Sequence, residues 1–212
     1  MFDKKYAEYY DLFNSDKPYK QEIEFVYEWA GRPETIFDIG CGNANYWGHY
    51  PKGTVLVGID KSCDMARGHP NIIVGDITKY KHRGDLVDCA TALFDVLNYI
   101  PFLDWFKRIP VRQGGFFIFD VWTAEKVFND GFRETVKEVN GATRRIKPFW
   151  WGHMVDLEIE VTNGEKPFTE THTMFIHSHE EILKACGKEF EVIEVKPTER
   201  WQTWWKLRRK CI

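Results

Sequence analysis

The chain has no cysteine pair. Its five cysteines, at positions 41, 63, 89, 186 and 211, are odd in number and form no Cys-x-x-Cys. That speaks against a disulfide framework, and a reduced, cytoplasmic setting is the expectation. No histidine pair stands in a metal-ligand context either, so no metal is expected. Long apolar runs are missing. None approaches the roughly 18 residues that mark a membrane-spanning helix, and no membrane partner is expected. The start, Met1-Phe2-Asp3-Lys4-Lys5-Tyr6, carries no apolar segment of the secretory type. An excess of one charge is absent too: the formal net charge is −3, which argues against a nucleic-acid surface. The basic cluster Lys206, Arg208, Arg209 and Lys210 is short and reads as a charge-protected edge strand. Repeats and low-complexity linkers are also absent. A single domain over 1–212 is the simplest organisation.

What the chain does have is glycine in one telling place. In Ile36-Phe37-Asp38-Ile39-Gly40-Cys41-Gly42-Asn43-Ala44 an apolar run ends beside an acid and turns into two spaced glycines. Such a loop lets a ligand lie against bare backbone. The next strand-end acid is Asp60, in Val55-Leu56-Val57-Gly58-Ile59-Asp60, where a carboxylate can accept ribose hydroxyls. A dinucleotide fingerprint requires a third glycine where Asn45 stands, so that pattern fails. The competing pattern, an acid followed by Gly-x-Gly-x-Gly, is matched by Asp38, Gly40 and Gly42, with Ala44 at the third glycine.

Along the chain, strand-like runs at 35–39, 54–59, 71–74, 86–93 and 115–121 alternate with helical ones at 18–30, 44–50, 62–67 and 101–108. This rhythm implies an α/β fold with a parallel sheet and right-handed crossovers. Between 132 and 176 the rhythm becomes strand-only, with Asn140-Gly141 and Asn163-Gly164 as hairpin signals. Ser178 and Glu181 fit a capping box for a helix at 179–187. Strands at 191–195 and 203–209 close the chain.

In that order the chain resembles the class I S-adenosylmethionine-dependent methyltransferases, in a small-molecule branch that includes bacterial sugar N-methyltransferases. The resemblance rests on Asp38-Ile39-Gly40-Cys41-Gly42, Gly58-Ile59-Asp60, Gly75-Asp76-Ile77, Phe94-Asp95-Val96-Leu97-Asn98-Tyr99 and Gly114-Gly115-Phe116-Phe117-Ile118-Phe119-Asp120. A tyrosine-rich start, Tyr6-Ala7-Glu8-Tyr9-Tyr10, adds to it. It covers roughly 6–125 and the closing helix-strand-strand segment. It implies a Rossmann-like, doubly wound, seven-stranded and mainly parallel sheet, with 132–176 as an antiparallel insertion after strand five that covers the substrate. The Pro-Pro-Tyr signature of methylases acting on exocyclic base amines is absent.

The resemblance implies S-adenosyl-L-methionine as cofactor. Gly40, Cys41 and Gly42 would pass its methionine end, and Asp38 would orient the loop or reach the methionine amine. Asp60, with Lys61 beside it, would hold the ribose, or else Asp60 caps the next helix. Asp76 and Ile77 would meet the adenine, or Asp76 is a turn residue. Phe94 would position the cofactor. Asp95 would lie beside it or face the substrate with Asn98, unless both are helix caps. Tyr99 would face the acceptor unless it is core. Tyr10 and Tyr19 would close over the cofactor, or simply pack an N-terminal helix.

For the acceptor, Trp122, Trp150, Trp151 and His153 are candidate pocket residues, with Phe149 extending an aromatic wall that suits a cationic or ring-shaped molecule. The same aromatics suit a plain core under the insertion. His153, His172, His177 and His179 cluster around the insertion, and each alone reads equally as a surface or core residue, so no base is named. The expected activity is methyl transfer to a small-molecule amine or hydroxyl. RNA or protein methylation, or a silent cofactor-binding module, are the alternatives. A monomer or homodimer is expected.

Overall fold

The computed structural model describes residues 3–130, 132–164, 166–198 and 202–211. Two helices open the chain, α1 (Lys4–Phe13) and α2 (Tyr19–Trp29). Asp3 caps α1, its carboxylate accepting from the Tyr6 amide. Five strands follow: β1 (Thr35–Ile39), β2 (Val55–Asp60), β3 (Ile72–Val74), β4 (Val87–Ala92) and β5 (Val111–Trp122). Between β2 and β3 lies the one-turn α3 (Cys63–Ala66). The expected helices at 44–50 and 101–108 are short 3-10 turns, Trp47–His49 and Asp104–Arg108.

After β5 come α4 (Ala124–Asp130), then β6 (Thr135–Val139), β7 (Ala142–Trp151), β8 (Met154–Thr162) and β9 (Phe168–Phe175). Helix α5 (His179–Cys186) and strands β10 (Phe190–Pro197) and β11 (Gln202–Arg209) end the chain. The capping box is formed: the Ser178 side chain takes the Glu181 amide, and Glu181 reaches back to the Ser178 amide.

The strands make two sheets. The first has seven strands in the order β10-β11-β5-β4-β1-β2-β3. β3, β2, β1, β4 and β5 run parallel, while β11 is antiparallel to β5 and β10 to β11. The sequence order reverses between β1 and β4, the kind of crevice where open α/β sheets bind ligands. Strand β5 is buried on both faces, with Phe117, Ile118, Phe119 and Val121 fully enclosed, as its unbroken apolar run requires. Helix α5 adds Ile182 and Cys186 to the core on one face, and α2 adds Ile23 and Val26 on the other.

The basic cluster is placed differently from expectation. β11 is an inner strand, and the edges are β10 and β3. Its two arginines are paired locally, Arg208 with Glu191 and Arg209 with Glu189, and Lys206 donates to the Trp29 carbonyl at 2.6 Å.

The second sheet, in the order β6-β7-β8-β9, is wholly antiparallel. Alternate residues Val155, Leu157, Ile159 and Val161 are buried, as are Met174 and Ile176. They form a second core with Tyr6 and Phe13 of α1 and with Trp122 and Phe132. Helix α1 therefore packs under the insertion, not on the first sheet.

Candidate active site

One large cleft, about 1660 Å³, lies between the carboxyl ends of the parallel strands, α1 and the buried face of the second sheet. Ligand pockets for one small molecule run to roughly 300–1,000 Å³, so this cleft has room for two.

Its floor is the glycine loop. The amides of Gly40 and Cys41 both point at the Ile59 carbonyl, at 2.7 and 3.3 Å. Gly40, Gly42 and Ala44 all have left-handed backbones, with φ of 67, 55 and 63°. A Cβ on Gly40 would stand 2.5 Å from Cγ2 of Val96, so glycine is required there for space as well as for conformation. Asn43 and Asn45 tie the loop to α1: both donate to the Asp11 carboxylate, at 2.5 and 2.8 Å. Arg67 reaches the same carboxylate and the Ala7 carbonyl.

Asp60 ends β2 inside the cleft. One oxygen takes the Gly42 amide at 2.7 Å and the other the Ser62 amide at 2.8 Å. Burial pushes its carboxyl upward against those two stabilising bonds. The capping role weighed for Asp60 belongs to Ser62, whose hydroxyl accepts from the Met65 amide. Asp76 accepts from the Thr78 amide and hydroxyl and faces Lys61 at 3.4 Å. Burial would raise its carboxyl, but these partners outweigh it and hold it low.

The wall beyond is the segment after β4. Phe94 and Asp95 are consecutive non-glycine residues with positive φ, 71 and 63°. Asp120, at the end of β5, holds that strained turn by accepting both amides, at 2.6 and 3.3 Å. Lys17 places its ammonium 3.8 Å from the Phe94 ring centroid and pairs with Glu22 at 3.0 Å. Asp95 takes the Gln202 amide group at 3.0 Å. Burial raises Asp95 to about 6, and burial and the Asp95 charge hold Asp120 well above the ordinary carboxylate value.

The roof is aromatic and carries one buried network. Tyr6, Tyr10, Phe13, Tyr99, Trp122 and Phe132 line it. The Tyr99 hydroxyl lies 3.2 Å from His172 Nδ1, and His172 Nε2 lies 2.6 Å from Glu170 Oε1. Arg144 donates to the Tyr6 hydroxyl at 3.2 Å and lies over the Phe13 ring.

The fold that carries this cleft is matched by solved structures. A S-adenosylmethionine-dependent methyltransferase from Clostridium acetobutylicum superposes with a TM-score of 0.79 at 20% identity, over 98% of each chain. CalS10, an amino pentose methyltransferase from Micromonospora echinaspora, gives 0.77 at 18% identity, covering 99% of this chain and 98% of its own. The sugar N-methyltransferase KedS8 from Streptoalloteichus gives 0.75 at 18%, covering 95% and 93%. The chain has the class I methyltransferase fold. No protein-family model and no curated protein sequence matches it.

On this fold the expected residues divide. Tyr10, Tyr19, Gly40, Cys41, Gly42, Asp60, Lys61, Asp76, Ile77, Phe94, Asp95, Tyr99 and Trp122 all reach the cleft. Asp38 does not. It is buried below the loop, where Trp47 Nε1 and the Thr91 hydroxyl each donate at 2.8 Å. It steadies the loop from beneath, and burial raises its carboxyl to about 6. Asn98 is also displaced. It is fully buried, bonded to the amide and carbonyl of Trp122 and to the Phe175 carbonyl at 2.9, 3.1 and 2.8 Å.

The expected aromatic wall does not line the cleft. Trp151 and Phe149 are 61% and 46% exposed on the outer side of the second sheet, while Trp150 packs against the second core and beside Phe128. His153 is exposed, His177 is buried on the carbonyls of Leu97 and Ile100, and His179 packs against Trp205. Of the four weighed histidines, His172 alone lines the cleft. Among the described residues no group of three or more His, Cys, Asp or Glu is arranged to hold a metal, and no helix is long and apolar enough to cross a membrane.

The sequence reading missed Tyr6, Lys17, Arg144 and Glu170. A signal existed for two of them. Arg144 shares the β7 face of Ala142 and Ile146, and Glu170 shares the β9 face of His172 and Met174. Charged side chains on the inward face of a two-residue repeat are costly unless used.

Proposed function

We propose that the chain is an S-adenosyl-L-methionine-dependent methyltransferase acting on a small-molecule amine or hydroxyl. The observation that carries this reading is the two-part cleft, with a glycine loop and two carboxylates at one end and a roofed aromatic chamber at the other. The residues present fit the cofactor. Gly40 and Gly42 leave backbone bare, and Asp60 keeps lone pairs for ribose hydroxyls beyond its two amide bonds. Asp76 and Ile77, which line the same end of the cleft, would meet the adenine edge. When bound, the sulfonium supplies a methyl group that is already activated.

The protein's own task is then positioning and exclusion of water. Asn45 supports this choice over a dinucleotide, because its amide is committed to Asp11 where a dinucleotide loop would need glycine. Acidic side chains outnumber basic ones along the cleft, which disfavours RNA. A silent binding module would not need a second chamber. The names of CalS10 and KedS8 make an amino sugar the first acceptor to try.

Calorimetry with S-adenosylhomocysteine and with NAD tests the cofactor half. Binding of S-adenosylhomocysteine and not NAD is expected, and the reverse would sink the assignment. A panel of amino sugars, amino acids, phenols and short RNAs with labelled cofactor tests the acceptor half, with label expected in the small molecules.

A further inference from the structure

The methyl-transfer reading leaves one buried group of side chains without a task. The geometry points to Tyr99, His172 and Glu170 as a proton relay that removes a proton from the acceptor atom, with Tyr99 as the group that touches the acceptor. This inference rests on the proposed function above.

The placement comes first. Tyr99 ends the 3-10 turn Val96–Tyr99. The other end of that turn packs against the glycine loop, where Val96 fills the space a Gly40 side chain would need. Tyr99 therefore stands between the loop and the roof, and it is partly exposed in the cleft. His172, on β9, is 1% exposed, and Glu170 is 8% exposed. An imidazole and a carboxylate buried this deeply are expensive unless they serve each other. The Asp3 amide also donates to Glu170 Oε1 at 3.1 Å, so the capped start of α1 completes the group.

Then the chemistry. An ionised carboxylate can only accept. Glu170 therefore holds the proton of His172 on Nε2 and turns the Nδ1 lone pair to the Tyr99 hydroxyl. An ammonium or hydroxyl acceptor next to Tyr99 loses its proton to Tyr99 Oη as the phenol's own proton passes to His172 Nδ1. The electron pair stays on the acceptor nitrogen or oxygen and becomes the nucleophile. His172 becomes an imidazolium paired with Glu170. After methyl transfer the proton returns through Tyr99 to water as product leaves. Burial holds the Tyr99 phenol well above its ordinary value, so Tyr99 passes a proton on and does not stand as a phenolate. The other titratable or charged groups facing the relay are Tyr6, whose ring meets His172 edge-on at 5.6 Å, Arg144 behind Tyr6, and Tyr10 and Asp95 near Tyr99.

The test uses the full chain with S-adenosylhomocysteine bound, and the variants Tyr99→Phe and His172→Asn. Calorimetry is read first: both variants are expected to keep cofactor affinity within about twofold, and failure of the wild type to bind would count against the functional reading instead. Nitrogen NMR of the histidine rings is read next and needs no acceptor. His172 is expected as the Nε2–H tautomer, with its Nδ1 resonance displaced in Tyr99→Phe. With an amino sugar or phenol that the wild type methylates, kcat is expected to fall about 10²–10⁴-fold in His172→Asn, the usual contribution of a general base. The loss should shrink as pH rises and the acceptor deprotonates unaided. A His172 ring carrying its proton on Nδ1 and not on Nε2, or variants with wild-type kcat and an unchanged pH profile, would overturn the relay.

Discussion

Two residues show how conformation and chemistry compete in the glycine loop. Ala44 adopts a left-handed φ of 63°, which costs an L-residue roughly 1–2 kcal/mol. Ala44→Gly is expected to raise stability by about 1 kcal/mol after glycine's own entropic cost, seen as a higher urea midpoint with an unchanged slope. Asp60 is the harder case, because its carboxylate already serves the loop through Gly42 and Ser62. Asp60→Ala should weaken S-adenosylhomocysteine binding by about 1–3 kcal/mol, the range for charged hydrogen bonds, and should also lower stability in the absence of ligand. Calorimetry beside thermal unfolding separates the two losses. Unchanged affinity would reduce Asp60 to a loop support.

At the scale of elements, the Asn98 clamp governs how the sheets meet. Its carboxamide joins the end of β5 to the end of β9 through Trp122 and Phe175. Asn98→Ala would strand three buried backbone groups at about 1–3 kcal/mol each, so a loss of about 3 kcal/mol or more in chemical denaturation is expected. Trp151→Ala, on the outer face, should change stability and methyl transfer little, measured by the same denaturation and by label incorporation.

This contrast marks what could be read from the residues. The parallel strands were legible because doubly buried strands are continuous apolar runs, and the hairpins because Asn-Gly pairs fit their turns. The acids closing β1 and β2 were legible as a pair, yet only Asp60 enters the cleft. Asp38 points one residue pitch away, into Thr91 and Trp47. The face of the insertion was not legible from its most conspicuous aromatics. Counting alternate positions outward from Met174 would have placed Glu170 and His172 inside, but the three adjacent aromatics of β7 necessarily straddle both faces of one strand. Asn98 was missed as a clamp because its partners are backbone groups 24 and 77 residues away.

For the whole molecule, acid–base behaviour follows from what the cleft buries. Asp38 and Asp95 are raised to about 6, and Asp120 is also raised well above the ordinary carboxylate value near 4. The folded chain thus binds more protons than the unfolded one between about pH 4 and 6. The sign is that these groups subtract stability as pH rises through that window. Asp95→Asn, which keeps an oxygen for Gln202, should gain on the wild type from pH 4 to pH 8 in urea midpoints. Parallel curves would mean that Asp95 stays charged in the fold.

Helix α1 touches α3 on one side and β6 on the other, and its anchors at Asp11, Arg67 and Asp3 are partly exposed polar contacts. Asp11 is the point where this helix, which lines the cleft with Tyr6, Tyr10 and Phe13, is fastened to the glycine loop through Asn43 and Asn45. One surface carboxylate thus links the wall of the acceptor end to the floor of the cofactor end. Asp11→Ala should hasten release of S-adenosylhomocysteine in stopped-flow displacement while the second core, closed over Tyr6 and Phe13, keeps its place.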